Sequence, residues 1–244
     1  MGQKEFGSLP QATDWVCRHP ELSLRLLKNV PEDYDGDASA MSVDSALRTM
    51  GLTRVGEMAL SWSYWELVPR ELPVYGLSRE EFFLQAHAGA VAMQLFNDQG
   101  ELGALEAFAI GLLHGAGMLA IDRALQSRSK ETPRLAAETP RKLADLEKTL
   151  LGTEHAWVGG SLLARWSLSE EIVRPVARQF DGEGSDLQQR LSISRYIANR
   201  VVDAARGARS PLGSKENVIY RGYSLYQVFE YAKKRSKQSF AGLN

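Results

Sequence analysis

The sequence predicts an all-α fold, and three observations carry that prediction. Helix-capping residues recur: Ser42, Thr53, Ser78, Thr153 and Ser169 each precede a segment with apolar periodicity, and Ser78-Arg79-Glu80-Glu81 has the spacing of a capping box. Apolar residues fall at helical intervals in one segment after another. No segment shows the alternation of a half-buried strand, and no internal repeat stands out.

Taken in order, residues 9–30 carry Trp15, Val16, Leu22, Leu24, Leu26 and Leu27 around Pro20, which predicts two short helices with a turn between them. Residues 31–40 form an acidic loop with Asp33, Asp35 and Asp37 at alternate positions. A calcium loop of EF-hand type needs glycine where Ala38 stands and glutamate where Asp44 stands, so a solvated loop is expected. Ser42 caps a helix over 43–50, Gly51 follows its end, and Thr53 opens a second helix reaching about Leu67. Trp62 and Trp65 on that helix are read as core, because no basic residues interleave with them as a nucleic-acid surface requires.

The capping box opens a helix to about Phe96 that carries Phe83, His87, Ala90, Val91 and Gln94 along one face. A helix over 102–113 then delivers His114 within the apolar run FAIGLLHGAGMLAI, residues 108–121, where Gly115 and Gly117 weaken or end it. Residues 127–140 are polar, with two prolines, and read as a loop. A helix over 141–151 stops at Gly152, and Thr153 caps the next, over 154–166. That helix places His155 in an exposed first turn and assigns Trp157, Leu162, Leu163 and Trp166 to its buried side. Ser169 opens a helix containing Pro175, terminated by Gly182 and Gly184. A long helix follows with the stripe Leu187, Leu191, Ser194, Ala198, Val201 and Ala205, and Asn199 on a neighbouring face. The tail is amphipathic through Leu225, Val228, Phe229 and Ala232, then basic at Lys233, Lys234, Arg235 and Lys237.

Composition excludes several classes. At 244 residues, 44% hydrophobic and 24% charged, with a net charge of −1, the chain has no global pull towards nucleic acid or anionic membrane. One cysteine, Cys17, excludes an intrachain disulfide and a multi-cysteine metal site, and fits a reducing cytoplasm. The reading expects no apolar run near the ~20 residues of a membrane span, no signal peptide, and no myristoylation, since Phe6 stands where serine or threonine is needed. A histidine carried into the core must find a hydrogen-bond partner or a metal, because an unpaired buried polar group is costly.

Three separated motifs together resemble the HDOD domains, relatives of the HD phosphohydrolases. Residues 41–60, MSVDSALRTMGLTRVGEMAL, resemble the family's capped helix leading to a Leu-Gly-Leu turn. The run FAIGLLHGAGMLAI resembles its GLLHDIGKL segment, and residues 151–172, LGTEHAWVGGSLLARWSLSEEI, resemble its segment around a later histidine. His19-Pro20 and Ala86-His87 add weaker matches, and the resemblance spans roughly residues 9–205.

The resemblance implies one HDOD-like unit over 1–244: a smaller N-terminal helical part (9–75), an HD-related bundle (76–205) and a C-terminal extension with an amphipathic helix (206–244). Carried over by position, His87 matches the first histidine of the catalytic relatives, His114 the histidine of the name-giving pair and His155 the later one. Gly115 stands where the paired aspartate belongs, Asn199 falls near a late aspartate, and Arg178, Gln179 and Phe180 occupy the region of a further His-His pair. In those relatives the metals activate water against phosphoesters. A hard divalent cation requires carboxylate oxygens, and both aspartates are replaced. The expectation is a degenerate site with no metal, no cofactor and no catalytic residue, in a bacterial cytoplasmic signalling module that works through a partner protein. A phosphohydrolase or a nucleotide-binding sensor are the alternatives.

Overall fold

The structure, a computed structural model, describes residues 9–28, 41–97, 100–128, 134–136, 139–181, 185–208, 219–220 and 222–241. The expected acidic loop at 31–40, most of the loop at 127–140, and Gly182 and Gly184 lie outside the described residues. Helix takes up 76% of what is described, and the sheets are two ladders of two-residue strands. The chain is all-α, as its capping pattern predicts.

Two compact units divide the chain: residues 1–64 with 238–244, and residues 65–237. In the first unit, α1 (Leu9–Cys17) and α2 (Pro20–Lys28) flank the break at Pro20, the first residue of α2. Proline suits that position because its missing N–H would lack an intrahelical partner anyway. Helix α3 (Val43–Leu67) contains non-helical Gly51 at φ 76°, so the sequence's two helices meet at the glycine the reading placed between them. Ser42 Oγ accepts from Ser45 N at 3.1 Å. Val16, Leu22, Leu26, Ala46, Leu47 and Val55 form this unit's buried cluster.

In the second unit, the antiparallel pair β1 (Glu71–Leu72) and β2 (Leu77–Ser78) leads into α4 (Arg79–Leu95). Both halves of the Ser78–Glu81 capping box are made. Helices α5 (Ala104–Leu113) and α6 (Ala116–Arg128) follow, separated only by His114 and Gly115. Then come α7 (Pro140–Leu151), α8 (His155–Arg165), α9 (Glu170–Ala177) and α10 (Asp186–Ala205). The pair β3 (Ile219–Tyr220) and β4 (Tyr223–Ser224) precedes α11 (Leu225–Ala241). Helix α4 packs on α5 and α10, while α8 packs on α6 and α9.

Glycines set how closely these helices approach. A Cβ on Gly111 would lie 2.5 Å from the Gly89 carbonyl oxygen, and one on Gly117 only 1.9 Å from the His155 carbonyl oxygen. The second contact seats the start of α8 against the start of α6, three residues past His114. It also explains a departure from the sequence reading. The buried side of α8 is His155, Ala156, Gly159, Gly160 and Leu163, whereas Trp157 is 64% exposed and Trp166 41% exposed. Small residues, not the tryptophans, let α8 dock, so apolar size mis-stated its inward face.

The expectation that no apolar run approaches a membrane span is also revised. Among the described residues, Ala104–Ser127 is long and apolar enough by length and composition, with a window of mean hydropathy 1.7. That window is 72% buried within the protein, as in a core helix.

Candidate functional site

His114 and Gly115 occupy the short join between α5 and α6, so the backbone turns where the histidine is presented. His114 is 5% exposed, and its Nδ1 donates to the Gly111 carbonyl at 2.7 Å. Donation fixes the proton on Nδ1 and leaves Nε2 with its lone pair. Burial, and behind it the charges of Arg195 and His155, push the His114 pKa down to about 4, against the opposing pull of the Gly111 carbonyl. The ring is neutral at physiological pH.

His155 is also buried, not exposed in a first turn as the sequence reading expects. Its partner is Glu147 on α7, a fully buried carboxylate whose Oε2 accepts from both the backbone N and the Nδ1 of His155 at 2.7 Å. Tyr75 donates its hydroxyl to the other carboxylate oxygen at 2.8 Å. Three donors compensate the desolvation of this carboxylate, and proximity to it drives the Tyr75 hydroxyl pKa upwards after burial. Gly152, in the left-handed conformation at φ 73°, turns the chain from α7 to α8 so that Glu147 and His155 face each other.

His114 and His155 line one cavity of about 190 Å³, together with Tyr75, Gln85, Arg195 and Asn199. Asn199 Oδ1 accepts from Gln85 Nε2 across the α4–α10 contact. His87 does not join them. Its Nδ1 is hydrogen-bonded to the buried Ser236 hydroxyl of α11 at 3.0 Å, and its ring lies 5.9 Å from Phe83 and 5.6 Å from Phe108, centroid to centroid. Gly115 lies outside the cavity wall, and a Cβ there would stand 3.3 Å from the Phe82 ring. Of the sequence-predicted positions, the fold brings together His114, His155 and Asn199.

The residue that sequence reasoning missed is Arg195. It is 5% exposed, and burial followed by repulsion from Arg141 pushes its pKa down to about 9, so it remains a cation. Its guanidinium donates to Gln179 Oε1 at 2.8 Å and to the Gln179 carbonyl at 3.3 Å, and lies 4.2 Å over the Phe180 ring. Gln179 also donates to the His114 carbonyl at 2.9 Å. Gln179 and Phe180, at the positions where a further His-His pair is expected, therefore seat an arginine beside the two histidines. A signal was available: Arg195 is four residues before Asn199 and beside Ser194 and Ala198 on the apolar stripe, where a solvated arginine has no place.

This donor set does not suit a divalent cation. Among the described residues no three His, Cys, Asp or Glu side chains stand together as ligands; the one carboxylate against the histidines, Glu147, is taken up by Tyr75 and by His155 N and Nδ1, and the cation acting on His114 is Arg195. A guanidinium repels a metal ion that carboxylates would attract.

The site is set in an all-helical bundle, with His114 at the α5–α6 join and His155 opening α8 on the same cavity. The chain belongs to the HDOD family: the HDOD domain profile matches residues 3–181. Among solved structures, a candidate phosphohydrolase from Shewanella amazonensis is similar at 18% identity and a TM-score of 0.64, covering 99% of this chain and 89% of that one. An HDOD domain protein of unknown function from Geobacter sulfurreducens is similar at 19% identity and a TM-score of 0.61, covering 98% and 87%. A candidate signal transduction protein from Marinobacter aquaeolei is similar at 18% identity and a TM-score of 0.63; 98% of this chain corresponds to 55% of that one. These likenesses are of fold. No curated protein matches the chain.

Proposed function

We propose that this chain is a non-catalytic bacterial signalling module, working in the cytoplasm through contacts with a partner protein. One observation carries the reading: a buried arginine stands in the cavity beside the two histidines, with no carboxylate ligand for a metal among the residues lining that part of it. Hydrolysis in the HD manner needs a Lewis acid and a metal-activated water. Here Asn199 is neutral and already accepts from Gln85. Gly115 carries no ligand atom, and a Cβ there would meet the Phe82 ring at 3.3 Å and the Met118 sulfur at 3.7 Å. The HDOD family membership and the signal-transduction description of one structural neighbour agree with a regulatory role.

The test is hydrolysis of bis(p-nitrophenyl) phosphate and of dinucleotides by purified protein in millimolar Mn²⁺ or Mg²⁺. The expected outcome is a rate no higher than that of the His114→Ala variant. Turnover that His114→Ala abolishes would establish the phosphohydrolase instead.

A further inference from the structure

The charges around the cavity are unbalanced in one direction. Its lining includes Arg134, Arg195, Arg200 and Arg206 against a single acidic residue, Asp203. Two of the arginines are compensated: Arg200 pairs with Asp203 at 3.1 Å, and Arg206 pairs with Glu81 at 2.6 Å. The other two are not. Among the described residues, neither Arg195 nor Arg134 has a carboxylate within ion-pairing distance, and the Nε of Arg195 is buried without a hydrogen-bond acceptor. Glu154 acts on Arg195 only at longer range, being paired with Lys148 at 2.9 Å. Arg134 is exposed, but Arg195 is buried, and a buried cation without a counter-charge is costly, a cost that an anion in the cavity relieves.

The backbone makes room for this arrangement. Gly76, at φ +60°, has Arg134 Nη2 only 2.7 Å from where a Cβ would be, so the arginine sits in space that a side chain would fill. On the same residue, the Gly76 carbonyl accepts from Arg206 Nη2 at 3.0 Å. Thr139 and Pro140, also on the lining, open α7, whose amino end adds partial positive charge. The two histidines supply the complementary chemistry. With both Nδ1 atoms committed, to Gly111 and to Glu147, each ring leaves its Nε2 for a ligand, and that of neutral His114 is an acceptor.

Guanidinium donors beside an imidazole acceptor match a ligand that has both charged oxygens and hydroxyls. We propose that the cavity binds a small phosphate monoester, with Arg195 and Arg134 on the phosphate oxygens and His114 Nε2 accepting from a hydroxyl of the organic part. Arginine is favoured here because its planar fork meets two phosphate oxygens at once. On this account Arg195 supplies at the site the positive charge that a metal supplies in the catalytic relatives, and binding occurs without turnover. The proposal therefore rests on the non-catalytic reading and adds a ligand to it.

Calorimetric titration of the full chain with inorganic phosphate and with ribose 5-phosphate, at low salt and again at raised salt, tests it. The expected result is saturable binding with Kd at or below about 1 mM, weakened as salt rises. Asn199→Asp is the deciding variant. It is isosteric, keeps the acceptor for Gln85, and gives Arg195 a carboxylate one helical turn away; phosphate affinity should fall at least about tenfold. Arg195→Met should also abolish binding, and Asn199→Asp still decides if that variant fails to fold. Arg195 and Arg141 also line a second cavity of about 600 Å³, which Asn199 does not touch. Arg141→Gln should therefore leave affinity within about threefold. No saturable binding of either probe, or equal affinity in Asn199→Asp and the parent chain, overturns the proposal. Either result can occur with no hydrolysis at all, which leaves the signalling reading in place. Turnover in the metal assay strikes at that reading instead.

Discussion

The histidine at α4 and the two at the cavity have met different fates in one bundle. His87, matched by resemblance to the first metal ligand, is packed between Phe83 and Phe108 and tied to Ser236 of α11. His114 and His155 keep an Nε2 each at a cavity that also holds an arginine. Both regions are buried, so burial does not separate them. Their surroundings do: aromatic rings and a hydroxyl on one side, guanidinium and carboxylate on the other. Two positions matched by the same resemblance can thus differ, one absorbed into packing and the other left polar at a cavity.

Substitutions can break this comparison at either end. Phe108→Ala should have the largest effect, about 3–5 kcal/mol of stability, because it removes a fully buried ring in edge contact with His87. Chemical denaturation measures it, and a loss below about 1 kcal/mol would mean that the His87 side is not a packed site.

Acid should act next, and on the cavity side. The His114 pKa is lowered from 6.5 to about 4 in the folded protein, so between those values the unfolded chain binds more protons. Stability therefore falls as pH drops from about 6.5 towards about 4, by up to about 3 kcal/mol from this residue. Above 6.5 the contribution is fully present. In His114→Gln, which cannot titrate, that share of the slope should vanish; an unchanged slope would remove His114 as its source.

Ser236→Ala is milder, about 1 kcal/mol, since it deletes one buried hydrogen bond to His87 and leaves the apolar face of α11 docked. It should leave phosphate binding unaltered, which separates the two regions functionally. Trp157→Ser should be smallest, within about 0.5 kcal/mol, because the ring is mostly solvated.

The fold was legible because its signals are local. The Ser78–Glu81 box, Gly51 and Gly152 each dictate a backbone event within a few residues, and the apolar face Leu225, Val228, Phe229 and Ala232 is buried as its spacing predicts. The site was legible in part. His114, His155 and Asn199 were named from motif positions and do share a cavity. Glu147 and Arg195 were missed because each is understood only across the tertiary contact it makes. Glu147 reads as one more charge on a solvated helix until Tyr75 and His155 arrive from elsewhere in the chain. Trp157 failed for the converse reason: α8 docks through glycines, whose contribution is close approach and not apolar area.

On the proposed reading Arg195, and not a metal, supplies the positive charge in this cavity. Calorimetric titration of Mn²⁺ into metal-free protein, at pH 7.5 where His114 is neutral, tests it most directly. The account predicts no saturable heat at one ion per chain. Stoichiometric Mn²⁺ binding that His114→Ala or His155→Ala abolishes would contradict it.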